Sequence, residues 1–135
     1  MTNFLIEWKD LLEKEWRKIP KAYRHEQSVR RTLQCSLFGA LRKMEKVVVA
    51  DYRPPRVLDR LVDLITLKPD GTIDLAVCLD SVVTLAAVKS LSSFEAARKG
   101  IITTGLLEKK VQESLFFLKP DIQHLHLQPF EKPFG

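Results

Sequence analysis

The chain has 135 residues, 45% of them apolar, with two cysteines and a formal net charge of +5. This describes one compact domain over 1–135 with enough apolar material for a core. No apolar run approaches the roughly 18 residues that span a bilayer, and the charged start MTNFLIEWKDLLEKEW is not a signal peptide. The expectation is a cytoplasmic protein with no membrane partner. Its thiols Cys35 and Cys78 lie inside apolar patterns and are expected to be buried and reduced; their spacing suits no zinc site.

Residues 3–19 read as a helix: Phe4/Leu5, Trp8, Leu11/Leu12, Trp16 and Ile19 recur at helical spacing, and Pro20 ends it. Lys9, Glu13 and Arg17 form its charged opposite face. A second helix spans His25 to Met44, with Val29, Leu33, Leu37, Leu41 and Met44 inward and Arg30, Arg31, Gln34, Arg42 and Lys43 on the polar face. KVVVADY (46–52) is β-branched and reads as a strand that RPP closes. Leu61–Lys68 and Thr72–Asp80 read as a hairpin around KPDG, whose Pro and Gly positions suit a type I turn. A helix is expected over 80–97, capped by Ser81, then a strand over 99–105 and a helix over 106–119 ended by Pro120. A last strand is expected over 122–130. The core is set at about 24–128, with a loose tail over 129–135. The order α-α-β-β-β-α-β-α-β predicts an α/β domain: a mixed central sheet with helices on both faces.

The hairpin carries Asp63, Asp74 and Asp80 in an otherwise apolar setting. Alternation puts Asp74, Ala76, Cys78 and Asp80 on one face of their strand, and the turn sets Asp63 opposite about Ala76 or Val77. Glu26 falls on the inner stripe of the second helix. Glu26, Asp63 and Asp80 can therefore converge at one end of the sheet. Gathered carboxylates hold a hard cation such as Mg²⁺, which activates water and stabilises charge on a phosphodiester. The plainer readings stand beside this. Glu26 at a helix start suits the helix dipole. Asp63, flanked by Val62 and Leu64, needs a partner or a metal. Asp74 and Asp80 suit solvated positions, with Asp80 an alternative helix cap. Cys78 suits a small core residue.

The first 60 residues hold 14 basic and 8 acidic side chains, a net of +6; residues 61–135 hold 8 and 9, a net of −1. Arg30, Arg31, Arg42, Lys43, Arg53, Arg56 and Arg60 can form a phosphate-tracking patch, or simply a solvated face. Tyr23 and Tyr52 are too few for base-stacking platforms. His124 and His126 share a strand face without a third metal ligand, which favours an exposed face or a partner contact.

These residues resemble the restriction endonuclease-like, or PD-(D/E)XK, nucleases over about residues 24–105. HEQSVRRTLQCSLFGAL is similar to that family's leading helix and VVVADYRP to its first strand. RLVDLITLKPDG is similar to its Asp strand and TIDLAVCLDS to its acid–x–Lys strand. VVTLAAVKSLSSF with RKGIITTG is similar to the closing helix and strand. The resemblance implies Glu26 as the helix acid and Asp63 as the second-strand Asp. The third strand departs from the pattern: Cys78 stands at the acid and Asp80 at the Lys. A second register, with Asp74 as the Asp and Ala87-Val88-Lys89 as the tripeptide, again lacks the acid. The resemblance implies a protein acting on or docking to nucleic acid, DNA more than RNA. If the chemistry survives, Mg²⁺ or Mn²⁺ sits at Asp63 with Glu26 and Asp80 assisting. The alternative is a non-catalytic binding or assembly module, with the exposed strand and the aromatic helix of Trp8 and Trp16 serving a protein partner or homodimer.

Overall fold

The structure is a computed structural model that describes residues 3–57 and 59–130. A 3-10 turn, Phe4–Trp8, leads into α1 (Lys9–Lys18), and α2 is Glu26–Lys43. The strands are β1 (Val47–Tyr52), β2 (Val62–Leu67), β3 (Ile73–Asp80), β4 (Arg98–Thr103) and β5 (Ile122–His126). α3 (Leu85–Ser92) joins β3 to β4, and α4 (Glu108–Ser114) joins β4 to β5. The expected element order is present throughout.

The sheet order is β1-β2-β3-β4-β5. β1, β2 and β3 are antiparallel neighbours, while β4 runs parallel to β3 and β5 parallel to β4. The sheet is therefore mixed, and each face has its own core. Leu12 and Trp16 of α1 and Leu33 and Leu37 of α2 bury against Leu64, Val77 and Ile102. On the other face Ala87, Val88 and Leu91 of α3 bury against Ile65, Ala76 and Ile101. No helix among the described residues is long and apolar enough to cross a membrane.

The turn chemistry explains the hairpin. Gly71 N–H donates to Lys68 C=O at 2.9 Å, and Lys68 N–H donates to Thr72 C=O at 2.8 Å. Gly71 sits at φ 87°, the left-handed region that a side chain would strain. The pairing shifts between Thr66 and Leu67. Leu64 faces Val77, so Asp63 lies one step further along, beside Cys78 rather than opposite Ala76 or Val77.

Several boundaries differ from the expectation. α3 begins only at Leu85, because Asp80 still belongs to β3; Thr84, not Ser81, caps it, its hydroxyl accepting from Ala87 N–H at 3.1 Å. α4 stops at Ser114 and continues as a 3-10 turn. β5 ends at His126, yet 129–130 is not loose. Pro129 is buried, its C=O accepts from Arg17 Nη1 at 2.9 Å, and Phe130 packs edge-on against Trp16 at 5.7 Å. The rest of the expected tail, 131–135, lies outside the described residues. Glu13 is buried, not solvated: its Oε2 accepts from Lys9 Nζ at 2.8 Å and Gln128 N–H at 2.6 Å, tying α1 to the chain after β5. Burial raises its pKa, but these two donors and Arg17 outweigh that and hold it below the ordinary carboxylate value. Cys35 is exposed, contrary to expectation, and Cys78 is buried.

Candidate functional site

Asp63 is the second residue of β2 and only 1% exposed. A carboxylate this deep requires partners, and both oxygens have them. Oδ1 accepts from Arg30 Nη2 of α2 at 3.1 Å. Oδ2 accepts from Arg60 Nη2 at 2.9 Å and from Leu79 N–H of β3 at 2.6 Å. Gln34 of α2 donates its Nε2 to Asp63 C=O and to Asp51 Oδ1, each at 2.8 Å. Gln34 is therefore buried between helix and sheet, not on the polar face.

Arg60 is the hub. Its Nη2 also reaches Leu79 C=O at 3.1 Å and Asp80 Oδ2 at 3.2 Å, and its Nη1 donates to Leu61 C=O. Ser90 of α3 holds its backbone, Oγ donating to Arg60 C=O at 2.6 Å. The side chain is 11% exposed, which corrects its place in the phosphate-tracking patch: it points inward, between two carboxylates. Burial by itself weakens a cation, but the facing carboxylates hold this guanidinium more firmly protonated than usual.

Asp80 ends β3, and its Oδ2 also accepts from Thr84 Oγ1 at 3.4 Å. Burial raises its pKa, and Arg60 offsets only part of that rise. Cys78 is fully buried, and burial pushes its thiol up to about 12, so it stays protonated. Asp51, opposite this cluster on β1, adopts φ 53°, an uncommon conformation for a residue other than glycine. Hydrogen bonds from Gln34 and then Arg31 hold its carboxyl below the usual range despite burial.

Two of the three expected acids thus come together, through Arg60. Glu26 does not join them. It is the exposed first residue of α2, and it borders a cavity of about 260 Å³ with Trp16, Val29, Ser81 and Phe130. Among the described residues no group of three or more His, Cys, Asp or Glu is placed to hold a metal ion. Asp74 pairs with Arg98 at 3.2 Å, and Lys89, part of the second register, lies on α3 rather than a strand.

Of the other basic candidates, Arg42, Lys43, Arg53 and Arg56 are exposed. Arg31 is exposed and paired to Asp51 at 3.2 Å, and Arg30 is half-buried on Asp63. His124 Nε2 and His126 Nδ1 each lie 2.9 Å from Thr103 Oγ1. Asp80, Thr103 and His126 are consecutive register partners across β3, β4 and β5. The polar groups therefore form a row at the carboxyl ends of the parallel strands, where open α/β sheets place their ligand sites. The histidines face Thr103 and are half-buried, not an open face.

Sequence reasoning found Asp63 through its apolar neighbours and missed Arg30, Arg60 and Gln34 as its partners. The available signal was the lone arginine of RLVDL, placed just before an apolar strand bearing an acid.

No protein-family model matches the chain, and no curated protein matches it. Among solved structures, it is similar to a repair endonuclease from Pyrococcus abyssi at 17% identity and a TM-score of 0.42. That match covers 82% of this chain and spans half of the other.

Proposed function

We propose that this chain is a nucleic-acid-docking domain of endonuclease-like fold that does not cut what it binds. The observation that carries this reading is Arg60, which lies between Asp63 and Asp80. A hard divalent cation takes several oxygen ligands with open lone pairs. Here both Asp63 oxygens accept from arginine or backbone donors, and Asp80 is shared with the same arginine. So arranged, these residues do not fit Mg²⁺ or Mn²⁺. The guanidinium supplies the positive charge that a metal supplies in the nucleases the sequence resembles. It offers neither a water to activate nor an open coordination position.

Docking is supported by the charge. The basic excess of the first 60 residues includes exposed Arg31, Arg42 and Lys43 along α2 and Arg53 and Arg56 after β1, with Arg31 shared with Asp51. Arg31 and Arg42 are eleven residues apart, three helical turns, which places them on one stripe about 16 Å long. That length exceeds the distance between neighbouring phosphates of a strand, so the two ends of the stripe suit phosphates more than one nucleotide apart.

The test is duplex binding at two salt concentrations together with a plasmid-nicking assay in Mn²⁺. Expected is binding that weakens roughly a hundredfold between 50 and 200 mM salt, for about four phosphate contacts. Arg42→Glu with Lys43→Glu should abolish it, and nicking should not exceed that of Asp63→Asn. Absent or salt-insensitive binding overturns docking. Mn²⁺-dependent nicking that disappears in Asp63→Asn overturns the non-cutting reading.

A further inference from the structure

Glu26, apart from the acid–arginine cluster, borders a cavity of about 260 Å³ between α1, α2 and the loops that follow β3 and β4. Trp16, Val29 and Phe130 give it apolar walls, with Trp16 edge-on to Phe130 at 5.7 Å. Ser81 of its lining directly follows Asp80, and Val29 directly precedes Arg30, so the cavity adjoins the cluster. Two charged side chains stand at it. Arg24 is fixed in place: its Nε donates to Ile19 C=O at 2.8 Å and its Nη2 to Arg17 C=O at 3.2 Å, which holds the guanidinium 4.6 Å over the Phe130 ring. Glu26 is exposed, and no described residue gives its carboxylate a hydrogen bond or an ion pair.

We propose that this cavity takes one unpaired guanine base, its Watson–Crick edge against Glu26; the inference rests on the nucleic-acid-docking reading above. Pockets for drug-sized ligands run to roughly 300–1,000 Å³. This one is smaller and suits a single planar ring system. Proteins hold splayed bases between aromatic or apolar side chains and read them at that edge. Guanine alone presents two adjacent donors there, N1–H and the 2-amino group. A carboxylate offers two acceptor oxygens and no donor, so it takes both bonds in parallel. Adenine and cytosine set a ring acceptor beside their single amino group, and uracil and thymine flank their N–H with two carbonyls. Each of these turns a lone pair toward the carboxylate. Arg24 adds a cation at the same rim, which suits the phosphate of the nucleotide. Exposed Arg31 lies five residues beyond Glu26 on α2, about 7.5 Å of helix rise, so a strand along the basic stripe reaches the cavity.

The experiment titrates the full chain with GMP, AMP, CMP and UMP and follows the NMR signals of the two tryptophan indole N–H groups. Trp16 lines the cavity, whereas Trp8 packs edge-on against Phe4 outside it. GMP should move the Trp16 signal saturably and leave that of Trp8 in place. The other three should bind roughly tenfold or more weakly. Glu26→Gln, at an exposed position, should shift the melting temperature by a few degrees at most. It should lose the preference, because an amide offers one acceptor in place of two. No saturable shift at Trp16 with GMP overturns the proposal. So do equal affinities for the four nucleotides, or a guanine preference that survives Glu26→Gln. Free nucleotides need no contact with the basic stripe. Failure of GMP beside intact, salt-dependent duplex binding therefore overturns the base site alone, and GMP binding without duplex binding overturns docking alone.

Discussion

Arg60 Nη2 lies 2.9 Å from Asp63 Oδ2, and this buried pair fixes the start of β2 against the end of β3. The two residues are three apart, but the contact is not a helical one. Arg60 precedes the strand, turns inward beneath Ser90 and bridges Asp63 to Asp80. Arg30 closes the pair from α2. One carboxylate thus links a helix, two strands and the loop before β2.

Removing Asp63 should therefore cost structure before it costs chemistry. Asp63→Ala removes one of the two carboxylates that face buried Arg60, and the carboxylate that Arg30 pairs with, and breaking buried pairs in this way costs up to about 3–5 kcal/mol. Urea unfolding followed by the fluorescence of buried Trp8 and Trp16 measures this. A neutral or stabilising substitution would mean that the carboxylate is held in repulsion, as in a site waiting for a metal.

The two cysteines should differ sharply. Cys35 is exposed on α2, whereas burial pushes the Cys78 thiol up to about 12. Reaction requires thiolate and access. A thiol reagent at pH 8 should modify one cysteine quickly, and Cys35→Ser should remove that fast phase. The second should react only at the rate of unfolding. Two fast equivalents would contradict the buried position of Cys78.

His124 sets one pH dependence. Burial, then the neighbouring His126 charge, lowers its pKa from 6.5. A lowered base takes its proton later in the folded state than in the unfolded one, so the unfolded chain gains as pH falls. Stability should be full above about 6.5 and decline as pH drops from there toward the lowered value. His124→Gln should flatten that decline in denaturant titrations between those limits. An unchanged slope would contradict the half-buried histidine on Thr103.

The nine elements were legible because each carries its own period and punctuation. Leu12 and Trp16, or Leu33 and Leu37, recur at helical spacing, Gly71 sits where the turn demands a left-handed residue, and prolines end elements. Asp63 stood out because Val62 and Leu64 flank it. Its partners were not legible. Gln34 looks polar on a helical wheel, but α2 packs on a sheet wide enough to bury that position too. Arg60 reads as one more surface base, because nothing local shows that the loop after β1 folds its side chain inward. Glu13 was misplaced for a similar reason: its partner, Gln128, lies 115 residues away. Helix α3 starts late because β3 remains paired to β4 through Asp80 and Thr103.

Thermal unfolding with and without Mn²⁺, for the unmodified protein and for Arg60→Met, tests most directly whether an arginine stands in the cation's place. The expected result is no Mn²⁺-dependent shift in the unmodified protein. Arg60→Met should melt lower without metal and gain stability when Mn²⁺ is added, because Asp63 and Asp80 are then open to it. A melting temperature that rises with Mn²⁺ in the unmodified protein, and does not in Asp63→Asn, would contradict it.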